Sequence, residues 1–455
     1  MDPLEGNVAD TSRSETTSTK LQRIAELSRK APEMVWTTLS HNIDVDFLRE
    51  AYARVRKGGA AGVDGMTAVQ YEEQLLGNLQ ALESRAKSGS YVAPPVRRVE
   101  IPKGDGKQTR PIGIPTLEDK ILQRAVAMVL EAVYEQDFSE CSYGFRPGRS
   151  AHQALESLWQ GTMKMWGGWV VEVDIREFFD SLDRKHLRAI LAKRVRDGVL
   201  TRLVGKWLKA GVMEGGTVSY PTSGTPQGGV ISPLLANIYL HEVLDTWWEE
   251  MIVPRLRGQA KLIRFADDFV IVFEREHDAR RMMAVLPKRF GKYGLKIHPE
   301  KTRMVYFAPS GRRQLPGEEA PVGGAGTFDF LGLTHYWGKS RYGKMVVRRK
   351  TARRRLSRTL RNANKWLRSV RHRPIPWQHR ALRRKLLGHY GYYGITGNGS
   401  ALAQVFDVVR RLWRKWLNRR SHKGQMTWDD YQKLLQRHPL PTPRVVHSMV
   451  NGAKP

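Results

Sequence analysis

The chain has 455 residues, of which 76 are Lys or Arg and 45 are Asp or Glu, giving a formal charge of +31. That length supports two or three domains and a substantial core, and self-repulsion on that scale calls for a polyanionic partner, nucleic acid before all others. The single cysteine, Cys141, excludes an internal disulfide and a cysteine-built zinc site. No apolar run reaches the roughly 18–20 residues of a membrane span and the polar N-terminus lacks a signal peptide's apolar core, so a cytoplasmic protein without membrane contact is expected.

Residues 1–20, rich in Ser, Thr, Asp and Glu, read as a disordered tail. Leu21, Ile24, Ala25 and Leu27, then Val45, Phe47, Leu48, Ala51 and Val55, fit short amphipathic helices leading into the Gly-rich loop Lys57–Gly65. Residues 68–88 read as one helix. Arg97–Lys103 and Thr109–Pro115 read as a hairpin carrying Lys103 and Arg110 near its tip, cations that suit a phosphate as well as they suit a solvated turn. Helical sequence over 117–138 precedes Tyr143-Gly-Phe-Arg-Pro147, and another helix follows.

Trp169–Ile175 alternates apolar and acidic residues as a strand, with Asp174 at its C-terminal end. Gly224-Thr-Pro-Gln-Gly-Gly229 opens a helical stretch through Tyr239, and its glycines let backbone approach a ligand closely. Leu262–Phe273 reads as strand, hairpin turn and strand, with Asp267 and Asp268 at its centre. Two adjacent carboxylates among apolar side chains repel each other and lose hydration, so a cation is expected beside them, although an Asp pair also suits an ordinary turn. Oxygen donors with no His or Cys nearby suit Mg²⁺, which completes its shell with water and phosphate oxygens. The implied chemistry is phosphoryl transfer.

The charge is concentrated towards the C-terminus, where residues 348–420 hold 22 Lys or Arg and one acidic residue, Asp407. Leu356, Leu360, Ala363, Leu367 and Val370 recur at helical spacing, as do Leu402, Val405, Phe406, Val409, Leu412, Trp416 and Leu417. Arg354, Arg355, Arg358, Arg361, Lys365 and Arg368 on the first helix, with Arg411, Arg414, Lys415 and Arg419 on the second, lie mostly off these stripes. An ordinary solvated surface mixes both signs, so such faces are expected to bind a nucleic-acid backbone. Trp366, Trp377, Trp413 and Trp416 are expected in the core before they are expected to stack on bases.

These blocks, in this order, resemble the reverse transcriptases encoded by group II introns, the intron maturases. The match runs from about residue 20 to 450. It rests on Gly62-Val-Asp-Gly65, the Lys103 and Arg110 hairpin, Tyr143-Gly-Phe-Arg-Pro147, Asp174-Ile-Arg-Glu-Phe-Phe179, Gly224-Thr-Pro-Gln-Gly-Gly229 and Phe265-Ala-Asp-Asp268. Gly294-Leu-Lys-Ile-His-Pro-Glu-Lys301 and Phe328-Asp-Phe-Leu-Gly-Leu333 complete it. The resemblance implies an α+β right-hand polymerase. It implies an N-terminal extension and fingers over 21–150 and a palm of antiparallel sheet and helices over 151–345. A helical thumb or maturase domain X over 346–425 and a short nucleic-acid-binding tail over 426–455 follow.

It also implies roles. Asp174, Asp267 and Asp268 become the catalytic, metal-binding triad for two Mg²⁺ ions, with Mn²⁺ as a substitute. Lys103, Arg110 and Lys301 would face the triphosphate, and Ile175, Gln227 and Gly228 would line the nucleotide pocket. Phe179 would gate against a 2′-hydroxyl, and Phe330, Leu331 and Gly332 would support the primer end. Arg354, Arg355, Arg358, Arg361, Lys365, Arg411, Arg414 and Lys415 would bind RNA. The implied partners are intron RNA, an RNA template with a DNA primer, deoxynucleoside triphosphates and target DNA. Phe265 departs from the Tyr of many relatives by a hydroxyl only. The end at Pro455 leaves no length or cysteines for the endonuclease domain of others, so target cleavage is not expected. An intron-free relative serving repair or defence, and a splicing cofactor without enzymatic activity, are the rival readings.

Overall fold

The computed structural model describes residues 16–103, 108–214, 216–220, 228–312, 325–340, 342–420 and 426–448, the side chains of Lys103 and Gln108 excepted. Helices α1 (Thr17–Lys30), α2 (Val45–Arg54), α3 (Ala68–Glu72) and α4 (Leu75–Ser88) come first. Thr16, Asp44 and Thr67 cap α1, α2 and α3 with their side-chain oxygens, as the orphan N–H groups of a helix start require. The single helix expected over 68–88 is instead the pair α3 and α4. Asn78 donates its amide to the carbonyl of Tyr71, which the break would otherwise leave unpaired.

Strands β1 (Val96–Lys103) and β2 (Gln108–Ile114) form the expected hairpin, joined by the short strands β4 (Val212–Glu214) and β5 (Thr217–Ser219) in the order β2-β1-β4-β5. Helix α5 (Leu117–Tyr134) is almost wholly buried and packs against α1 and α2. It stops short of residue 138. Glu135 and Asp137, just past its end, are drawn into ion pairs with the largely buried Arg146 and Arg194. Helix α6 (Ala151–Lys164) follows.

The central sheet has the order β6-β7-β3-β8, from β3 (Gly168–Val173), β6 (Ala260–Phe265), β7 (Asp268–Phe273) and β8 (Arg303–Phe307), all antiparallel. Side chains alternate along a strand, and here both faces are covered. Trp169, Val171, Val173, Leu262, Phe269, Ile271 and Phe273 join one core with α5, α8 (Arg184–Arg194), α9 (Gly198–Lys209), α10 (Ser232–Leu240) and α11 (Glu276–Lys292). Val170, Ile263, Val270 and Val272 join another with α6 and the sheet β9 (Phe328–Phe330), β10 (Leu333–Lys339) and β11 (Met345–Thr351). At the rim of that face Glu172 pairs with Arg303 and accepts from the Asp329 N–H at 2.9 Å.

Helices α12 (Arg353–Val370), α13 (Ile375–Tyr393), α14 (Gly399–Leu417) and α15 (Trp428–Arg437) form a third core around Trp413, Tyr390 and Tyr431. Trp413 and Trp416 are buried as expected, whereas Trp377 is 39% exposed. Among the described residues no helix is long and apolar enough to cross a membrane.

Below the β6–β7 turn lies an ion pair with no solvent contact. Arg264 and Asp245 are both fully buried, with Nε 2.8 Å from Asp245 Oδ1. The guanidinium also donates to Asn237 Oδ1 at 2.9 Å and to the Ala266 carbonyl at 3.1 Å, and Asn237 in turn donates to the Gly144 carbonyl at 2.7 Å. Burial alone would raise the Asp245 carboxyl, but Arg264 and His241 hold it below its ordinary value. Removing one partner leaves a buried charge without an answer, which costs about 3–5 kcal/mol. Chemical denaturation of Arg264→Met and Asp245→Leu should show losses of that order, and the double variant should recover much of either loss. Equal, additive losses would show that the pair is not the coupled unit described.

Candidate active site

The antiparallel pairing of Val173 with Phe269 carries Asp174, one step beyond β3, to the position opposite Asp268, the first residue of β7. Asp267 sits in the two-residue turn between them and β6, next to Ala266, whose φ of +57° is left-handed. Three carboxylates from distant parts of the chain thus share one sheet edge. The segment after β3 is itself fixed: the Arg176 N–H donates to the Lys296 carbonyl and the His298 N–H to the Asp174 carbonyl, both at 2.8 Å. Gly144 backs onto the turn so closely that a Cβ there would lie 2.3 Å from the Ala266 nitrogen.

Electrostatics set the character of this edge. Loss of solvent raises the Asp267 carboxyl, Asp174 adds to the rise, and Arg110 and Arg264 oppose it. Asp268 keeps contact with solvent but is otherwise surrounded by protein. That desolvation first, then the charges of Asp267 and Asp174, push it up to about 6 against the pull of Arg355 and Lys301. The Lys301 ammonium lies 2.8 Å from Asp174 Oδ2, a part-exposed pair of small energetic weight. Among the described residues no three His, Cys, Asp or Glu side chains close into a ready-made ligand cage. An open edge of oxygen donors that destabilise one another suits Mg²⁺, which needs one or two protein carboxylates and draws its other ligands from water and phosphate. The donor set fits such an ion.

Of the other residues singled out in the sequence, Arg110 reaches Asp267 through its field and pairs with Ile101 in the hairpin register. Ile175 is buried and bridges Ile297, and Phe179 is half-buried with its ring 5.3 Å from that of Phe178. The Lys103 side chain and Gln227 lie outside the described residues. Gly228 does need its missing side chain, but for protein: a Cβ would lie 2.4 Å from the Gly113 carbonyl oxygen of β2. Phe330, Leu331 and Gly332 form a turn leading from β9, which packs on β7, into β10.

On helices α12 and α14, Arg354, Arg355, Arg361, Lys365, Arg411 and Lys415 are exposed, while Arg358 is half-buried. Arg414 is otherwise employed, donating to the Met426 carbonyl at 2.8 Å and lying 4.1 Å over the Trp428 ring, so that it fastens α15. Sequence reasoning passed over α13. There Trp377, Arg380, Arg383, Arg384 and Leu387 line a hollow of about 510 Å³, signalled in the sequence only by Arg380, Arg383 and Arg384 following an exposed Trp. It gave no role to Phe145 of the Tyr143–Pro147 block, 61% exposed and left-handed at φ +55°, whose ring stands 6.3 Å from that of Phe265 beside the carboxylates.

Comparison with known proteins agrees with this geometry. Residues 101–335 match the reverse transcriptase (RNA-dependent DNA polymerase) family. The group II intron-encoded protein LtrA of Lactococcus lactis subsp. cremoris is 38% identical over 285 residues, 59% of this chain and 46% of that protein. Protein YkfC of Escherichia coli K12 is 34% identical over 319 residues, 63% of this chain and 78% of that protein. An uncharacterized 91 kDa protein in the cob intron of Schizosaccharomyces pombe is 33% identical over 254 residues, 54% of this chain and 31% of that protein. The chain therefore spans about half the length of the Lactococcus relative, and less of the yeast one. The matched region contains β2 and the end of β1, all three carboxylates and the turn after β9, and the chain belongs to the reverse transcriptase family, where its likeness is to the proteins encoded by group II introns.

Proposed function

We propose that this chain copies RNA into DNA, extending a DNA primer on an RNA template, and that it binds the RNA of a group II intron to assist splicing and mobility. The observation that carries the reading is the meeting of Asp174, Asp267 and Asp268 on one sheet edge, where the charges of their neighbours help to raise the Asp267 and Asp268 carboxyls. When bound there, two Mg²⁺ ions supply the acidification of the primer 3′-hydroxyl and the neutralisation of charge at the leaving pyrophosphate.

The protein's own groups do the rest by position and charge. Asp174, Asp267 and Asp268 hold the ions. Lys103, Arg110 and Lys301 orient the triphosphate, and Arg110 and Lys301 already balance the carboxylates. Gln227, Gly228 and Ile175 border the nucleotide, and Phe179 presents a ring to the sugar. Phe330, Leu331 and Gly332 carry the primer terminus. The thumb, with its near absence of acid, grips the duplex and the intron RNA by phosphate contacts. That the Lactococcus relative is an intron-encoded protein and the Schizosaccharomyces one lies in an intron supports the intron half of this reading.

Asp267→Ala should abolish Mg²⁺-dependent cDNA synthesis on an RNA template and leave RNA affinity within about two-fold of wild type, because the carboxylate edge and the basic helices are separate surfaces. Primer extension and filter binding on the same preparation decide it, and extension at the wild-type rate would sink the assignment. Phe179→Ala should admit ribonucleotides, read as a rise in ribonucleotide relative to deoxyribonucleotide incorporation; unchanged sugar selectivity would remove that ring from the role. On the thumb, Arg354, Arg361 and Lys365 share one exposed face of α12. Reversing all three to Glu should lower the log-log salt slope of RNA binding by about two to three, at roughly 0.7–0.9 per lost phosphate contact. A mutant that keeps the wild-type slope would show this face to be merely solvated.

A further inference from the structure

The turn between β9 and β10 places two successive residues in the left-handed region, Leu331 at φ +49° and Gly332 at φ +78°. Glycine takes that conformation freely, but leucine rarely does, because its Cβ crowds the following carbonyl. Phe330 pairs with Leu333, so the two-residue link takes the form with both φ values positive that such hairpins require, and a leucine in it carries strain that its surroundings must offset. The holders belong to the thumb. Tyr392, at the end of α13, donates its hydroxyl to the Leu331 carbonyl at 2.9 Å. Ala352, the residue before α12, donates its N–H to the Gly332 carbonyl at 3.0 Å. A Cβ on Gly332 would lie 3.1 Å from the Tyr393 hydroxyl and 3.6 Å from Arg355 Cγ, so both helices close over the turn.

Tyr392 is anchored in its turn. Its carbonyl lies 2.9 Å from the Nε2 of His152 on α6, whose ring is 5.5 Å from the Tyr392 ring. The same cluster borders the carboxylate edge, since the charges of Arg355 and Asp268 act on each other and that of Asp268 is felt at the Tyr392 hydroxyl. One hydroxyl thus links the thumb to a strained turn beside the site.

We propose that Tyr392 is a positioning residue for the primer: its hydroxyl holds the Leu331–Gly332 turn in the left-handed form, so that the primer 3′ end is seated only while the thumb is docked. This rests on the polymerase reading above. A thumb that swings away takes the hydroxyl with it, the turn relaxes, and the terminus is no longer presented to the carboxylates. Grip and synthesis are coupled through the Tyr392 hydroxyl, beside the Ala352 bond to Gly332, rather than through the basic helices alone.

The test is Tyr392→Phe in the full chain, which keeps the ring and removes the bond. Primer KM should rise roughly two- to ten-fold, the range one net hydrogen bond supplies, while kcat at saturating primer stays at the wild-type value. Amide exchange over residues 331–333, measured without nucleic acid, should accelerate by a similar factor. Unchanged KM and exchange, or a fall in kcat at constant KM, would each overturn the proposal. A wild-type chain that fails to extend any primer would instead overturn the polymerase reading, and the exchange measurement would still decide whether the hydroxyl restrains the turn.

Discussion

The buried guanidinium of Arg264 is the constraint on which the rest of the site depends. It is the third residue before Asp267, it has no contact with water, and its charge must be answered by protein groups. Asp245 supplies the countercharge, Asn237 and the Ala266 carbonyl take further N–H groups, and the Arg264 backbone exchanges bonds with Cys141 and Tyr143. Segments around residues 142, 240 and 265 are thereby fixed to one another. The left-handed Ala266 is affordable only in that frame, and Ala266 aims the two carboxylates.

Around this rigid centre the charges are arranged by opposition. The carboxylate edge gathers three acids in a chain of net charge +31, and nearby protein cations oppose the mutual repulsion of those acids. Arg110 from the hairpin, Lys301 from the loop before β8 and Arg355 from α12 come to that edge from three parts of the chain. The hollow lined by Trp377, Arg380, Arg383 and Arg384 extends the basic surface to a helix well removed from it in sequence.

What the sequence revealed and what it concealed divide along physical lines. Period-two and helical patterns are local, so the β6–β7 hairpin, the strand ending near Asp174, and helices α12 and α14 could all be read from spacing. The placement of Asp174 opposite Asp268 is a matter of strand pairing between distant segments, and came only from family resemblance. The break between α3 and α4 turns on one side-chain bond from Asn78, and the early end of α5 on the ion pairs of Glu135 and Asp137. Neither leaves a periodic trace. The π-helical turns over His241–Ile252, where Asp245 is presented to Arg264, had no signal at all in composition.

Because the central sheet is buried on both faces, hydrophobicity cannot by itself fix how its strands align. In a sheet with one wet face, a slip by one residue would drive apolar side chains into water; here it would merely exchange one oily neighbourhood for another. Alignment must therefore be enforced by the few polar groups that have a single acceptable partner. Arg264 on β6 and Glu172 on β3, tied respectively to Asp245 and to Arg303 with the Asp329 N–H, are the two such pegs in the strands that carry the carboxylates. Polar side chains within this apolar sheet serve as its ruler, and an error of one notch would part Asp174 from Asp268.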